Sequence, residues 1–262
     1  MKAVILAGGL GTRISEETHL RPKPMVEVCG RPIIWHIMKS YSLHGINDFI
    51  VCCGYKGYVI KEYFANFHLH QSDFTVNTNT GDISYHDSVD QDQWNVTCVD
   101  TGSLTMTGGR LKRIAHLIDD SETFCITYGD GVSDVNIQNL IEFHQSHDGL
   151  VTLTAVRPKG RFGVLGLDGN KVHSFREKNT DDCDYVNGGF FVAEKKALEF
   201  IDGDDCIWEQ GPLNQLANTD NLYSFQHNGF WQPMDTLRDR TYLDQLCKNG
   251  KTPWLGSYSL HR

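Results

Sequence analysis

The sequence predicts an α/β fold built on a mixed, mostly parallel sheet flanked by helices. First, residues 2–7 form an apolar run that is followed by Gly8-Gly9, and this pattern is typical of a strand buried on both faces. Second, strand-like and helix-like runs alternate through the first half, which is typical of a doubly wound, Rossmann-like sheet. Third, shorter strands with interleaved helices follow Leu150. Because no linker or repeat divides residues 1–262, we predict a single domain.

The elements of the first half follow from spacing and from helix-ending residues. A helix is predicted over Pro32 to His44, because apolar residues recur there at helical spacing, proline lies near the first turn and Gly45 follows the end. Residues 68–93 are polar and irregular, which indicates a hairpin or a lid. The other strands are predicted at 48–53, 94–100 and 122–128, and the other helices at 57–67, 107–118 and 136–147.

The second half is predicted to continue the same sheet with shorter elements. After Leu150 the pattern changes to short strands with helices interleaved between them. The strands are predicted at 151–156, 162–167, 172–175 and 186–192, and the helices at 195–201, 212–218 and 236–248.

Composition excludes several classes of protein. The formal net charge is −9, whereas polyanion binders need clustered Lys and Arg, so we expect no nucleic-acid partner. No apolar run reaches the roughly 18 residues that span a bilayer, and no signal-peptide pattern is present, so we expect a cytoplasmic protein with no membrane partner. The eight cysteines lack Cys-x-x-Cys spacing, and we expect reduced, buried thiols rather than disulfides or zinc ligands.

A glycine-rich loop, Gly8-Gly9-Leu10-Gly11-Thr12-Arg13, follows the first strand. Glycines there let the backbone approach a ligand and turn N–H groups toward an anion. The dinucleotide fingerprint would need glycine at position 14, which is Ile14, and the P-loop would need Gly-Lys before Ser or Thr. What remains is a phosphate loop ending in Arg13 or a plain βα turn, and the loop alone does not decide between them.

A second motif is Arg21-Pro22-Lys23-Pro24-Met25. Two prolines stiffen the backbone on either side of Lys23, which lowers the entropy lost when its charge is held at one point. The alternative is a solvated lysine in a turn. The neighbouring glycine loop favours a functional lysine.

Together these motifs resemble the sugar nucleotidyltransferases, and the strings at 15–18 and 23–28 resemble the cytidylyltransferase branch of that family. The resemblance implies the nucleotide-diphospho-sugar transferase type of fold. It also implies CTP and a hexose 1-phosphate, with α-D-glucose 1-phosphate expected, as substrates, Mg²⁺ as cofactor, and a trimeric or hexameric homo-oligomer. Further matching strings lie at 35–39, 52–58, 94–97, 106–110, 128–131, 160–163, 187–191 and 230–236.

The resemblance also implies roles for individual residues, with a nucleotide-binding half over 1–150 and a sugar-phosphate-binding half over 151–262. The implied nucleotide-binding residues are Leu6, Ala7, Gly8, Gly9, Leu10, Gly11, Thr12, Arg13, Lys23, Thr105, Gly109, Arg110 and Gly129. The implied sugar-phosphate-binding residues are Tyr128, Gly163, Glu177, Lys178, Asn187, Gly188 and Trp231. The implied catalytic residues are Arg13, Lys23, Asp130 and Asp235, of which Asp130 and Asp235 hold the metal.

Three of these assignments have alternatives. Asp235 precedes a predicted helix, and the pattern alone favours a helix N-cap. Without the resemblance, Glu177-Lys178 would be interpreted as a solvated strand end. Relatives usually carry proline where this chain has Asn179, and this departure bears on the identity of the sugar. Asn187-Gly188 could instead be a strand bulge.

Arg110 is predicted, from chemistry, to help select the base. Cytosine offers the adjacent acceptors N3 and O2, whereas uracil and thymine carry a hydrogen on N3, so a donor-only guanidinium favours cytosine. The alternative is a solvated charge on a helix. UTP- or dTTP-dependent transfer and a non-catalytic regulatory subunit remain alternatives for the whole chain, although Arg13, Lys23, Asp130, Lys178 and Asp235 are all present.

Overall fold

A computed structural model describes residues 1–86, 92–120, 122–158, 163–168, 171–177, 184–258 and 260, with backbone only for Arg13, Ser15, Glu16, 163–168 and 171–177. The strands are β1 Lys2–Leu6, β2 Glu27–Val28, β3 Arg31–Pro32, β4 Asp48–Cys53, β5 Phe74–Val76, β6 Ile83–Tyr85, β7 Asn95–Asp100, β8 Thr123–Tyr128, β9 Gly131–Ser133, β10 Val151–Val156, β11 Gly163–Asp168, β12 Lys171–Glu177, β13 Val186–Glu194, β14 Leu222–His227 and β15 Trp231–Pro233. The helices are α1 Ser15–Thr18, α2 Ile33–Ser42, α3 Gly57–Ala65, α4 Phe67–Gln71, α5 Thr107–Ile114, α6 Ile137–Gln145, α7 Pro212–Asn218 and α8 Leu237–Lys248.

Seven strands form the central sheet in the order β14-β10-β13-β8-β1-β4-β7. Neighbouring strands pair in parallel except at β13, which runs antiparallel to both β8 and β10. The sheet is therefore mixed and mostly parallel, which confirms the predicted fold class. Because β13 runs opposite to β8, its first residues lie at the sheet edge where β8 ends.

Hydrophobic layers cover both faces of the sheet. Successive residues of β1 and of β13 alternate between them: Ile5 and Phe190 belong to one layer, Val4 and Phe191 to the other. Helices α2, α3, α6 and α8 supply apolar residues to the first layer, and α5 and α7 supply them to the second. This two-sided burial explains why β1 is a continuous apolar run.

Most predicted elements are present, with informative differences at their ends. The helix predicted over 107–118 ends at Ile114 and continues as a 3₁₀ turn, Ala115–Leu117. The segment predicted as a hairpin or lid contains the β5–β6 hairpin, whose strand residues are all exposed. The edge strand β14 was not predicted, because its half-exposed residues give only a weak apolar pattern.

One cysteine expectation is wrong. Cys29 and Cys247 form a disulfide, with their Cα atoms 6.0 Å apart, although 218 positions separate them in sequence. Cys29 lies in the turn between β2 and β3, and its N–H donates to Asp244 on α8, which brings the turn against the helix that carries Cys247. Only the folded chain reveals this proximity. Cys52, Cys53 and Cys125 are free and buried, as expected.

Candidate active site

A cleft of about 330 Å³ opens at the carboxyl ends of β1 and β8. This is the edge at which open α/β sheets bind ligands. The predicted residues that line it are Leu6, Ala7, Gly8, Gly9, Gly11, Thr12, Lys23, Thr105, Arg110, Tyr128, Gly129 and Asp130. A larger cavity of about 790 Å³ lies beside the β2–β3 turn and α3, and contains none of the predicted site residues.

The glycines of the loop after β1 serve different purposes. A Cβ atom on Gly8 would lie 2.1 Å from Nη1 of Arg110, so only glycine leaves room for that guanidinium. A Cβ atom on Gly9 would meet nothing within 4 Å, and this residue faces the open cleft. Gly11 has φ +65, a left-handed conformation that glycine adopts without strain. The loop therefore requires glycine at position 8 for packing, whereas position 9 has open space on the side where a Cβ atom would lie.

Arg110, at the start of α5, fastens this loop to the neighbouring strands. Its Nη1 donates to Thr101 Oγ1 at 2.7 Å, Gly102 O at 2.7 Å and Cys53 O at 3.2 Å, and Nη2 donates to Gly8 O at 3.0 Å. The residue is only 4% exposed, and burial lowers its pKa from the ordinary arginine value. It is thus a buried clamp rather than a solvated surface charge. Contact with the base stays a prediction.

The other predicted nucleotide residues differ in how they relate to the cleft. Thr105 is buried and lines it. Gly109 donates its N–H to Cys206 O, and a Cβ atom there would lie 2.6 Å from Asp204 Cα, so its small size serves packing against that segment. Leu10 is half exposed. Arg13, the last residue of the loop, lies in the 3₁₀ turn Thr12–Ile14.

Lys23 lies between the two predicted metal ligands. Its Nζ is 2.7 Å from Asp130 Oδ2 and 2.7 Å from Asp235 Oδ1, and the side chain is only 9% exposed. Burial lowers the pKa of Lys23, but the charges and hydrogen bonds of the two carboxylates outweigh it and raise the pKa above the ordinary lysine value. Lys23 begins a 3₁₀ turn, Lys23–Met25, in which Pro22 is the N-cap and Pro24 is the second residue.

Backbone pairing brings the two aspartates together from distant parts of the chain. Asp130 lies between β8 and β9, and Asp235 lies two residues after the end of β15, which pairs antiparallel with β9. The N–H of Met234 donates to Asp130 O at 2.8 Å. The N-cap of α8 is Thr236, which forms a capping box with Asp239. Asp235 is therefore not the cap that its sequence pattern favoured, and its carboxylate faces Lys23.

The donor chemistry of this pair fits a divalent metal ion. The carboxylates of Asp130 and Asp235 both contact the Lys23 ammonium nitrogen, so a single metal ion between them could also contact both. Over the described part of the chain, no group of three or more His, Cys, Asp or Glu side chains could hold a metal ion. An ion held by Asp130 and Asp235 would therefore complete its shell with phosphate oxygens and water, as Mg²⁺ commonly does.

The predicted sugar residues meet at the amino end of β13. Asn187 Nδ2 donates to the Tyr128 hydroxyl at 3.3 Å, and Trp231 Nε1 donates to Gly188 O at 2.7 Å. Gly189, with φ +81, packs on the Tyr128 ring, where a Cβ atom would lie 2.4 Å from Cδ2. The ring is thereby held between β8 and β13.

Two further predicted sugar residues, Gly163 and Glu177, lie on the β11–β12 ribbon. Gly163 pairs with Glu177 at one end of that ribbon, which forms a separate two-stranded sheet. Lys178 lies outside the described residues.

One polar residue in this region was not predicted. Glu209, in the loop before α7, accepts a short hydrogen bond from the Tyr128 hydroxyl through Oε1 and one from Thr107 Oγ1 at 2.7 Å through Oε2. It belongs to no motif, and no periodic pattern marks it. Only the neighbouring Trp208, a large apolar residue, signals that this loop packs against the core.

Comparison with known proteins agrees with this geometry. The model of the nucleotidyl transferase family matches residues 2–236. The glucose-1-phosphate cytidylyltransferases of Salmonella typhi and Salmonella typhimurium are each 57% identical over 254 residues, covering 97% of this chain and 98% of the relative.

Solved structures share the fold at low sequence identity. The inositol-1-phosphate CTP transferase of T. maritima superposes with a TM-score of 0.64 at 17% identity, covering 96% of this chain and 97% of that one. A UDP-glucose pyrophosphorylase superposes with a TM-score of 0.67 at 13% identity, covering 95% and 98%. Among the residues described, no helix has both the length and the apolar character needed to cross a bilayer. The family match and the full-length identity show that this chain belongs to the nucleotidyl transferase family, in its glucose-1-phosphate cytidylyltransferase branch.

Proposed function

We propose that this chain transfers the cytidylyl group of CTP to α-D-glucose 1-phosphate, producing CDP-glucose and pyrophosphate with Mg²⁺ as the metal. One observation carries the catalytic part of the proposal: Lys23, Asp130 and Asp235 converge beside the glycine loop at the carboxyl edge of the sheet. The choice of CTP and glucose 1-phosphate rests on the relatives that are 57% identical over nearly the whole chain.

The reaction requires positioning and charge neutralisation more than proton transfer. An oxygen of the sugar phosphate forms a bond to the α-phosphorus of CTP while the bond from that phosphorus to the bridging oxygen breaks, and pyrophosphate leaves in line. The backbone N–H groups of the glycine loop are suited to the triphosphate oxygens. Arg13 and Lys178 are proposed to neutralise the nucleotide phosphates and the sugar phosphate, respectively.

Asp130 and Asp235 would hold the metal ion, which neutralises phosphate charge when it is bound. Lys23 would turn its ammonium group toward the triphosphate once the carboxylates have another cation partner. Its side chain is long and flexible, whereas the backbone turn is fixed by proline, so the charge can move while its anchor remains in place. In this way the three residues keep the site close to charge balance with and without substrate.

The decisive experiment is a substrate panel. We expect release of pyrophosphate with CTP and glucose 1-phosphate in the presence of Mg²⁺, and loss of that release when EDTA is added. CTP would be compared with UTP, dTTP, ATP and GTP, and glucose 1-phosphate with mannose and galactose 1-phosphates. Faster turnover of UTP or dTTP would reject CTP as the donor, and no turnover of any pair, with binding of CDP-glucose retained, would favour a regulatory subunit.

The assembly and the compartment belong to the same proposal. A homotrimer or homohexamer in the cytoplasm fits the family analogy, and the two halves, 1–150 and 151–262, are proposed to supply the nucleotide and sugar sides of one domain. Light scattering coupled to size-exclusion chromatography measures the assembly, and a monomeric mass would reject it.

A further inference from the structure

Glu209 lies in a loop that is fastened to the nucleotide side of the cleft. Gly108 N donates to Cys206 O at 2.9 Å, and Trp208 N donates to Thr107 Oγ1 at 2.9 Å, so this loop follows the start of α5 closely. Trp208 is fully buried and anchors the loop in the core. The backbone at Glu209 is thus held by the same helix that carries Arg110, and Thr107 itself lines the cleft.

The side chain of Glu209 reaches from there to the sugar side. One carboxylate oxygen accepts from Thr107 and the other accepts from the Tyr128 hydroxyl. A carboxylate accepts hydrogen bonds and cannot donate them. Each of the two hydroxyl groups therefore uses its only hydrogen in the bond to Glu209. The Tyr128 oxygen can then act only as an acceptor toward other groups, and it already accepts from Asn187 Nδ2 at 3.3 Å.

This polarity has a consequence for ligand recognition. Tyr128 lines the cleft two residues before Asp130, and Gly189 packs directly on its ring. Burial first, and then the negative charge of Glu209, raise the pKa of the Tyr128 phenol, so it stays a protonated donor to the carboxylate. Any ligand group that meets this oxygen must therefore be a donor. Phosphate oxygens are excluded, whereas sugar hydroxyls are suitable.

We propose that Glu209 is a positioning residue for the sugar: by accepting the hydrogen bond that the Tyr128 hydroxyl donates, it leaves the Tyr128 oxygen as an acceptor for one hydroxyl group of the hexose. This inference rests on the proposed function and adds a specificity element to it. Glu209 does not touch the reacting atoms. It acts through Tyr128, and it ties the sugar contact to the segment that also forms the nucleotide side.

The test combines protein variants with monodeoxy glucose 1-phosphates. We expect one deoxy analogue to lose about tenfold in kcat/KM with the parent enzyme, because the hydrogen bond from the missing hydroxyl group to the Tyr128 oxygen is lost. Tyr128→Phe and Glu209→Met should each reduce that penalty to about twofold. Glu209→Gln should retain it, since its amide oxygen accepts from Tyr128 while its amide nitrogen donates to Thr107. The KM for CTP should stay within about twofold throughout.

The controls separate this inference from others. Glu199→Gln makes the same charge change at an exposed residue of the preceding 3₁₀ turn and should behave like the parent enzyme. In the Tyr128→Phe background, Glu209→Met should have no further effect on the deoxy penalty. An unchanged penalty in folded, CTP-binding Glu209→Met enzyme overturns the inference, and so does a loss of selectivity in Glu209→Gln. Failure of the parent enzyme with every sugar phosphate instead rejects the proposed function.

Discussion

The proposed nucleotide side and the proposed sugar side of the cleft are built differently. The nucleotide side consists of loops at the carboxyl ends of parallel strands, joined by the guanidinium of Arg110 through backbone oxygens. The sugar side combines β13, which is antiparallel to its neighbours in the central sheet, with a separate ribbon, β11–β12, and side-chain hydrogen bonds join Tyr128 to Asn187 and Glu209. Backbone partners fix a shape, whereas side-chain partners can change with a single substitution.

This difference has a functional consequence. Substitutions of the packed residues on the nucleotide side, such as Gly8 and Arg110, disturb close packing and are expected to lower the free energy of unfolding together with nucleotide affinity. Substitutions on the sugar side are expected to change the KM for the sugar phosphate while the fold remains intact. The proposed metal ligands, Asp130 and Asp235, lie where the two sides meet, and there the expected effect is on turnover.

The largest effect is expected for Asp235→Asn. Asparagine keeps the shape and an acceptor for Lys23 but loses the negative charge that a metal ion requires, so kcat should fall by at least about a hundredfold. The free energy of unfolding should change by no more than about 1 kcal/mol, because Thr236, not Asp235, caps α8. Steady-state kinetics at saturating Mg²⁺ and urea unfolding measure the two quantities.

Asp239→Asn is the matched control for stability. It weakens the capping box and should cost about 1 kcal/mol of unfolding free energy. Equal kcat for Asp235→Asn and the parent enzyme would reject Asp235 as a metal ligand.

A second comparison uses two adjacent glycines. Gly8→Ala places a methyl group 2.1 Å from Nη1 of Arg110, and displacing that guanidinium breaks several of its buried hydrogen bonds. We expect a loss of about 2–3 kcal/mol in unfolding free energy. Gly9→Ala meets no atom within 4 Å and should unfold like the parent enzyme, although it raises the KM for CTP by narrowing the cleft. Equal free energies of unfolding for the two variants would reject the hypothesis that the Arg110 guanidinium, packed on Gly8, holds these loops together.

The sequence alone predicts the parts of this architecture that local chemistry fixes. The run at β1, the glycines after it and Lys23 between its prolines are local patterns, and each is where the pattern predicts. Glu209 and the Cys29–Cys247 disulfide depend on residues that are far apart in sequence. A lone glutamate in a loop and two cysteines separated by 218 positions carry no local signal.

Asp235 shows the same limit in a different form. Its local pattern favours an N-cap, and the actual cap lies one residue later because Thr236 and Asp239 form the reciprocal box. Only the pairing of β9 with β15 brings Asp235 to Lys23. The resemblance to known enzymes predicted this role where the local pattern pointed elsewhere.

On the sugar side, Lys178→Ala should raise the KM for glucose 1-phosphate by about thirtyfold, because it removes a charged partner of the phosphate. The KM for CTP should stay within about twofold. Lys196→Ala, at an exposed position after β13, is the matched control and should have parent kinetics. A rise confined to the KM for CTP would show that Lys178 serves the nucleotide rather than the sugar phosphate.

The smallest expected effect, and the sharpest test of the nucleotide side, concerns base selection by Arg110. Four bonds to protein oxygens hold this guanidinium rigidly at the wall of the cleft, and a fixed donor fork suits the N3 and O2 acceptors of cytosine better than the N3–H of uracil. Arg110→Ala should therefore lower the CTP/UTP ratio of kcat/KM by at least about tenfold, or about 1.4 kcal/mol.

The same substitution should also destabilise the fold, because it leaves the carbonyl oxygens of Gly8 and Gly102 without this donor. We expect a loss of about 2–4 kcal/mol in unfolding free energy, so the ratio must be measured at a temperature where the variant is folded. Arg113→Ala removes an exposed guanidinium of the same helix that pairs with Asp204, and should keep the parent ratio. If CTP and UTP lose activity equally in folded Arg110→Ala, this arginine only holds the loops together, and base selection belongs to another residue of the cleft.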